Sequence, residues 1–172
     1  MSSYLSFESD RLYLRPTTEE DAALVLAILT APKALKFIGD RNLHSEEDAR
    51  EYIRQRALTQ LRERGYANYT LVTKETGTKV GVCGFYVRPD LDLIDLGYAL
   101  HPEHEGQGYA REASKRIMQA AKERFGQLKL SAITHGENTA SIKVLEALGF
   151  AHLGQKTVAG YDGPSEYFEV AL

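Results

Sequence analysis

The succession of apolar patterns along the chain predicts an α+β fold, a mixed sheet with helices packed on both faces. Three observations carry that prediction. Runs with strand-like and helix-like periodicity alternate so that hairpins are mixed with strand-helix-strand crossovers. A glycine-rich turn, Gly106-Gln107-Gly108, joins an apolar run ending at Leu100 to a helical run reaching Phe125. The 172 residues are 43% hydrophobic and 26% charged, an ordinary globular composition that allows a full core in one domain over residues 1–172.

Each element has a local reason. Leu12 to Arg15 reads as a short strand stopped by Pro16. Thr17 with Glu20 fits a capping box, and Ala22, Val25, Leu26 and Leu29 follow at helical spacing. Ser45 caps a second helix, with a stripe of Ala49, Tyr52, Ile53, Ala57 and Leu61. Tyr69 to Lys74 and Lys79 to Val87 form a hairpin through Glu75-Thr76-Gly77-Thr78. After Pro89-Asp90, the run Leu91 to Leu100 is the strand that leads into the glycine turn. Ala110 to Phe125 is a helix closed by Gly126, and Leu128 to Thr134 is a strand. Asn138 caps a short helix ended by Gly149, and two last strands turn at Gly160 to Pro164. The count is seven strands.

Composition excludes several classes. The longest apolar run, Ala22 to Leu29, is too short to span a bilayer, and the opening Met1-Ser2-Ser3-Tyr4 carries no leader-like pattern, so a cytoplasmic location without membrane association is expected. Cys83 is the single cysteine, which rules out an internal disulfide framework; within Val82-Cys83-Gly84-Phe85 it reads as a buried structural thiol. His44, His101, His104, His135 and His152 lack spacing of the His-Glu-x-x-His kind, so no metal is expected. A formal charge of −3 gives no basic footprint for nucleic acid. It is also a weak bias toward cationic amines.

The glycine turn is an anion seat: glycines allow a tight bend, and the first turn of a helix presents unpaired N–H groups and the positive end of its dipole. Phosphate or pyrophosphate is the natural occupant. No Lys-Ser or Lys-Thr pair follows, so this is not a nucleoside-triphosphate loop. A dinucleotide fingerprint starting at Gly106 would need its third glycine where Arg111 stands. A turn that only caps the helix is the plain alternative.

The segment Glu105-Gly106-Gln107-Gly108-Tyr109-Ala110 resembles the coenzyme A loop of the GNAT superfamily of N-acetyltransferases, (Arg/Gln)-x-x-Gly-x-(Gly/Ala), with Glu105 departing from the usual first residue. Phe7 to Pro16, with its Arg11-Leu12-Tyr13-Leu14-Arg15-Pro16 run, Asp95-Leu96-Gly97-Tyr98-Ala99-Leu100-His101-Pro102, and Asn138-x-x-Ser141 ahead of Leu148-Gly149-Phe150 are similar to the branch containing ribosomal-protein N-terminal alanine acetyltransferases. The resemblance implies a three-layer fold with a largely antiparallel sheet of about seven strands, splayed between the fourth and fifth. It implies acetyl-CoA as co-substrate and a primary amine as acceptor, a protein N-terminus or a small molecule, in a monomer or homodimer.

By the same resemblance, the main chain near Leu100 binds the pantetheine arm and the amides of Gly106, Gln107, Gly108, Tyr109 and Ala110 hold the pyrophosphate. Asn138 and Ser141 reach the donor, and Lys143 is placed to meet a coenzyme phosphate. Strand alternation puts Leu93, Asp95, Gly97 and Ala99 on one face, making Asp95 the candidate base across small residues that leave room for substrate. An aspartate with the ordinary pKa of about 3.9 needs burial to serve directly, and a partner for a nearby arginine or a solvated strand carboxylate is the structural alternative. Many relatives carry a tyrosine four residues after the Ser141 position to protonate the thiolate; Leu145 stands there. Ser141 is then the candidate acid. A coenzyme-A-binding sensor without turnover is the alternative function.

Overall fold

A computed structural model describes residues 4–172. Met1, Ser2 and Ser3, part of the opening read for a leader, lie outside the described residues. One eight-stranded sheet runs in the order β1-β2-β3-β4-β5-β6-β8-β7. The strands are β1 (Phe7–Glu8), β2 (Leu12–Pro16), β3 (Asn68–Thr73), β4 (Lys79–Tyr86), β5 (Asp95–Leu100), β6 (Lys129–Thr134), β7 (Ala151–Lys156) and β8 (Ser165–Ala171). Every neighbouring pair is antiparallel except β5 with β6. The eighth strand is the two-residue β1, too short to show periodicity, which pairs Phe7 with Leu14.

The first helical layer is more divided than the sequence predicts. Two helices are expected between the first two long strands; the structure has α1 (Ala22–Leu29), α2 (Pro32–Phe37), α3 (Glu46–Ile53) and α4 (Thr59–Arg64). A π-helical turn, Arg54–Leu58, links α3 to α4, and the Thr59 hydroxyl donates to the freed Arg54 carbonyl at 2.9 Å. The capping box also moves by one residue. Thr17 donates its amide to Asn68 O and shares a hydroxyl contact with Thr70 at 2.9 Å, so it still belongs to the sheet. Thr18 is the N-cap instead, and Asp21 closes the box. Ser45 caps α3 through Asp48 N as expected.

On the opposite face lies α5 (Tyr109–Phe125), ended by Gly126 at φ 63°. Its buried side, Ala110, Ala113, Ser114, Ile117, Ala120 and Ala121, is mostly small residues at helical spacing, which lets the helix lie close against the sheet. Phe7, Tyr66, Tyr69, Phe85 and Phe125 form the aromatic part of this core through edge-on and tilted ring contacts. The second short helix, α6 (Thr139–Ala147), is capped by Asn138, whose Oδ1 accepts from Ser141 N at 3.2 Å.

The predicted strand Leu91 to Leu100 is corrected at its start. Only Asp95–Leu100 pairs as strand; Leu91 turns back onto Arg88 and packs with Val158 and Tyr167 in a separate cluster. Leu93 is therefore off the strand. The parallel pair β5–β6 meets at the single register Asp95 with Ser131, and beyond it the strands diverge. These are the fourth and fifth of the seven predicted strands.

Asp21, fully buried, ties α1 to three strands. Arg15 grips both its oxygens at 2.8 Å, Lys79 Nζ lies at 2.8 Å, and Thr70 Oγ1 and Thr18 N donate at 2.8 and 3.0 Å. Burial alone would push this carboxyl up, but the donors together outweigh it and hold it well below the usual range. The resulting stability is fully present above the unfolded value of about 3.9 and is lost as pH falls through it toward the lower folded value. Replacing Asp21 by Asn should cost about 2–3 kcal/mol at neutral pH. It should also flatten the fall of Tm below about pH 4, measured by scanning calorimetry across pH.

Candidate active site

A cavity of about 870 Å³ is wedged where β5 and β6 part, open to both faces of the sheet. Leu100, Gly106, Gly108, Tyr109 and Ala110 line one end of it, with Asn138 and Ser141 of α6. Asp95, Gly97, Tyr86, Arg88 and Tyr161 line another part. Gln107 and Lys143 are exposed and do not line the cavity.

The loop has the geometry of an anion seat. Gly106 and Gly108 adopt φ of 76° and 82°, conformations that side chains resist. Among the described residues, the N–H groups of Gly106 to Ala110 have no acceptor, as expected of a loop feeding the first turn of a helix. The bend is held from outside by Arg11, a residue whose role was not visible in the sequence. Its Nη1 donates to Gln107 O at 2.9 Å, its guanidinium lies 4.5 Å from the Tyr109 ring centroid, and Nε pairs with Glu112 at 2.6 Å. Glu105 also finds its counter-charge: Lys33 on α2 lies 3.4 Å away and offsets the carboxylate beside the seat.

Asp95 sits at the vertex of the split. It is buried to 1% exposure; Arg88 Nε donates to Oδ2 at 2.9 Å, and Ser131 Oγ donates to Oδ1 at 3.0 Å across the junction. Burial pushes this carboxyl above the ordinary aspartate range, against the opposing Arg88 charge and the two hydrogen bonds. The room expected over Gly97 is filled by the Tyr86 ring, since a Cβ there would meet Tyr86 Cε2 at 2.5 Å. Tyr86 is steered by donating to Asn68 Oδ1 at 2.8 Å.

On the α5 face of β5, Tyr98 reaches Ser141. Its hydroxyl lies 2.9 Å from Ser141 Oγ and 3.2 Å from Ser141 O, while Leu145 is buried at 1% exposure. A phenol thus reaches the helix from the strand, although the helix lacks one at Leu145. Burial pushes the Tyr98 hydroxyl up to about 12, more than the contact with Ser141 lowers it, so it stays protonated at neutral pH.

Cys83 is fully buried, 3.6 Å from Ser114 Oγ, and burial pushes its thiol up to about 12. A thiol so placed is no acyl carrier at neutral pH. His101, Glu103 and His104 bring ligand-type atoms within 4.8 Å of one another beside the loop, although His101 Nδ1 already accepts from Glu103 N at 3.2 Å. Among the described residues no helix is long and apolar enough to cross a membrane.

The parted strands β5 and β6 lead into the glycine loop and the start of α5. Residues 11–151 match the family described as Acetyltransferase (GNAT) domain, and the chain belongs to that family of N-acetyltransferases. It is 27% identical over 148 residues to the uncharacterized N-acetyltransferase YoaA of Bacillus subtilis (strain 168), a match covering 86% of this chain and 83% of that one. An acetyltransferase structure from Agrobacterium tumefaciens str. C58 superposes with a TM-score of 0.83 at 22% identity, covering 99% of this chain and 96% of the other. The ribosomal-protein-S5-alanine acetyltransferase of Vibrio fischeri gives 0.76 at 20% identity, with 97% and 96% covered. AAC(6')-Ib, solved with paromomycin and acetyl-CoA, gives 0.75 at 19% identity, with 94% of each chain covered. These structural likenesses establish the shared fold.

The native protein should resist labelling of Cys83 by a thiol-reactive chromophore at pH 8, and unfolding in guanidinium should release one reactive thiol per chain. Rapid labelling of the folded protein would contradict the burial described here.

Proposed function

We propose that the chain is one N-acetyltransferase domain that moves an acetyl group from acetyl-CoA to a primary amine by direct attack, with both substrates bound together. The observation that carries this is the cavity in the β5–β6 split, which has unpaired loop amides at one end and a buried carboxylate at its vertex. The amides of Gly106 to Ala110 take the diphosphate, and Asn138, capping α6 at the cavity wall, takes the adjoining part of the donor. Lys143, exposed on the same helix, lies outside the cavity lining and meets only a phosphate at its rim. Below the loop, unpaired β5 backbone near Leu100 aligns the pantetheine arm and polarises the thioester carbonyl.

The acceptor enters from the face carrying α1 to α4. Its ammonium loses a proton to Asp95 through a relaying water, because Arg88 and Ser131 already occupy one position on each carboxylate oxygen. The neutral amine then attacks the carbonyl carbon, the C–N bond forms, and the C–S bond breaks. The attacked nitrogen gives up its second proton through water; the thiolate takes its proton from Ser141, whose hydroxyl is resupplied by Tyr98 and Tyr98 in turn by water, and Asp95 releases its proton to solvent. AAC(6')-Ib, seen with acetyl-CoA, supports the donor.

A second reading has its own observation. The Ser131–Asp95–Arg88 chain bridges the only paired register of β5 and β6, so Asp95 can act as a structural pin alone. The pH profile separates the two. If Asp95 accepts the proton, kcat/KM rises with pH through a pKa above the ordinary aspartate value; Asp95→Asn should remove that limb, lower neutral-pH turnover by about 10²-fold, and lose less at high pH, where the amine is already neutral. A purely structural Asp95 leaves the shape of the profile unchanged. Ser141→Ala should lower kcat without moving the limb.

The donor site has a simpler test. Coenzyme A should raise Tm while nicotinamide dinucleotides do not. Arg11→Ala, which frees the Gln107 carbonyl to turn into the seat, should weaken coenzyme A binding about tenfold by calorimetry. Free-thiol release across an amine panel, with mass spectrometry of the product, tests transfer itself; binding without any acetylation would leave a coenzyme sensor.

A further inference from the structure

The cavity wall on the acceptor side is cationic, although the whole chain carries a formal charge of −3. Arg41, Arg56, Arg64 and Arg88 line it, against Asp95 and Glu63. Arg88 is matched by Asp95 at 2.9 Å. Among the described residues, Arg41, Arg56 and Arg64 have no carboxylate within ion-pair distance.

Two of these arginines are held in place without being neutralised. Arg41 donates to Gly160 O at 3.0 Å and Ile38 O at 3.1 Å, while its Nε is buried with no partner. Its guanidinium and that of Arg88 lie 5.1 and 5.3 Å from the centroid of the same Tyr161 ring, so the hairpin tyrosine orients both. Arg56 rides on the π-helical turn, 5.0 Å from the Tyr52 ring. That turn widens the helix where it faces the cavity, and Gln55, Arg56 and Ala57 in succession line the wall. A widened helix turn, tyrosine supports and an orphaned guanidinium N–H all belong to residues that line this cavity.

Guanidinium groups gathered without counter-charge repel one another and any further cation. A carboxylate relieves that repulsion and matches the fork of N–H donors in shape. A polycationic amine would worsen it. We propose that the acceptor is an amine that also carries a carboxylate, a small molecule of amino-acid type, whose carboxylate is held by Arg41 and Arg56 while its amine faces the split between β5 and β6. The proposal rests on the reading of the chain as an amine acetyltransferase and names the acceptor class for that same site.

The test compares matched acceptors in the thiol-release assay. The twenty common amino acids are set beside their C-terminal amides, their decarboxylated amines, short neutral N-terminal peptides, spermidine and tobramycin. The best acceptor should carry a free carboxylate, and its amide should be used with kcat/KM lower by about 10–100-fold. Arg56→Gln and Arg41→Gln should each raise KM for that acid about tenfold, leave KM for its amide unchanged, and leave the coenzyme A thermal shift intact. Lysine at either position should restore part of the loss. Preferred use of amides, neutral peptides or polyamines, or full discrimination surviving in both Gln variants, would overturn the acceptor class while leaving acetyl transfer standing. Coenzyme A binding with no acetylation of any compound would overturn both.

Discussion

Two parallel strands that meet at a single register and then separate dictate the rest of this molecule. Between β5 and β6 the hydrogen-bond ladder stops after Asp95 and Ser131, and the main-chain groups beyond lose their natural partners. In a sheet core such groups are costly unless something supplies bonds. Here the gap is a cavity that a donor with its own amide-like arm can fill. The Ser131–Asp95–Arg88 chain holds the vertex closed, so the divergence begins at a defined point rather than unzipping further.

The supports on either side of the gap are of different kinds. On the α5 side, small residues bring the helix close to the sheet and leave its first turn aimed at the loop, while Arg11 pulls the Gln107 carbonyl outward. The start of the chain thereby shapes a loop near residue 107, joining β1–β2 to the anion seat through Glu112 and Ser9. On the α1–α4 side, Asp21 fastens the helical layer to β2, β3 and β4, and the π-helical turn gives that layer its irregular, arginine-bearing wall. One side presents main-chain N–H groups without acceptors at the loop from Gly106 to Ala110. The other presents side chains, among them Arg41, Arg56 and Arg64, to the same cavity.

Ion pairing also answers a question that the loop sequence posed. Glu105, a carboxylate beside the glycine loop, has Lys33 of α2 brought within 3.4 Å of it. Similarly, Leu145 in place of a tyrosine removes a hydroxyl from α6, but Tyr98 brings one to Ser141 from β5. In both cases the contact comes from a residue distant in sequence.

The sequence by itself determined the order of the longer strands and helices, the glycine turn before α5, the caps at Ser45 and Asn138, the burial of Cys83 and the family. Each depends on neighbours a few positions apart, where periodicity, caps and glycine conformations act. It was less informative where short-range signals conflict: Thr17 and Thr18 both suit a cap, and only the bonds of Thr17 to the sheet decide for Thr18. Short pieces such as β1 and α2 carry too few residues to show a period. Only the tertiary structure decided that Asp95 pairs with Arg88 and Ser131, that Tyr86 fills the space over Gly97, and that arginines from three segments face one cavity. Those facts depend on side chains brought together across tens of residues, and packing and charge act through distance in space, not along the chain.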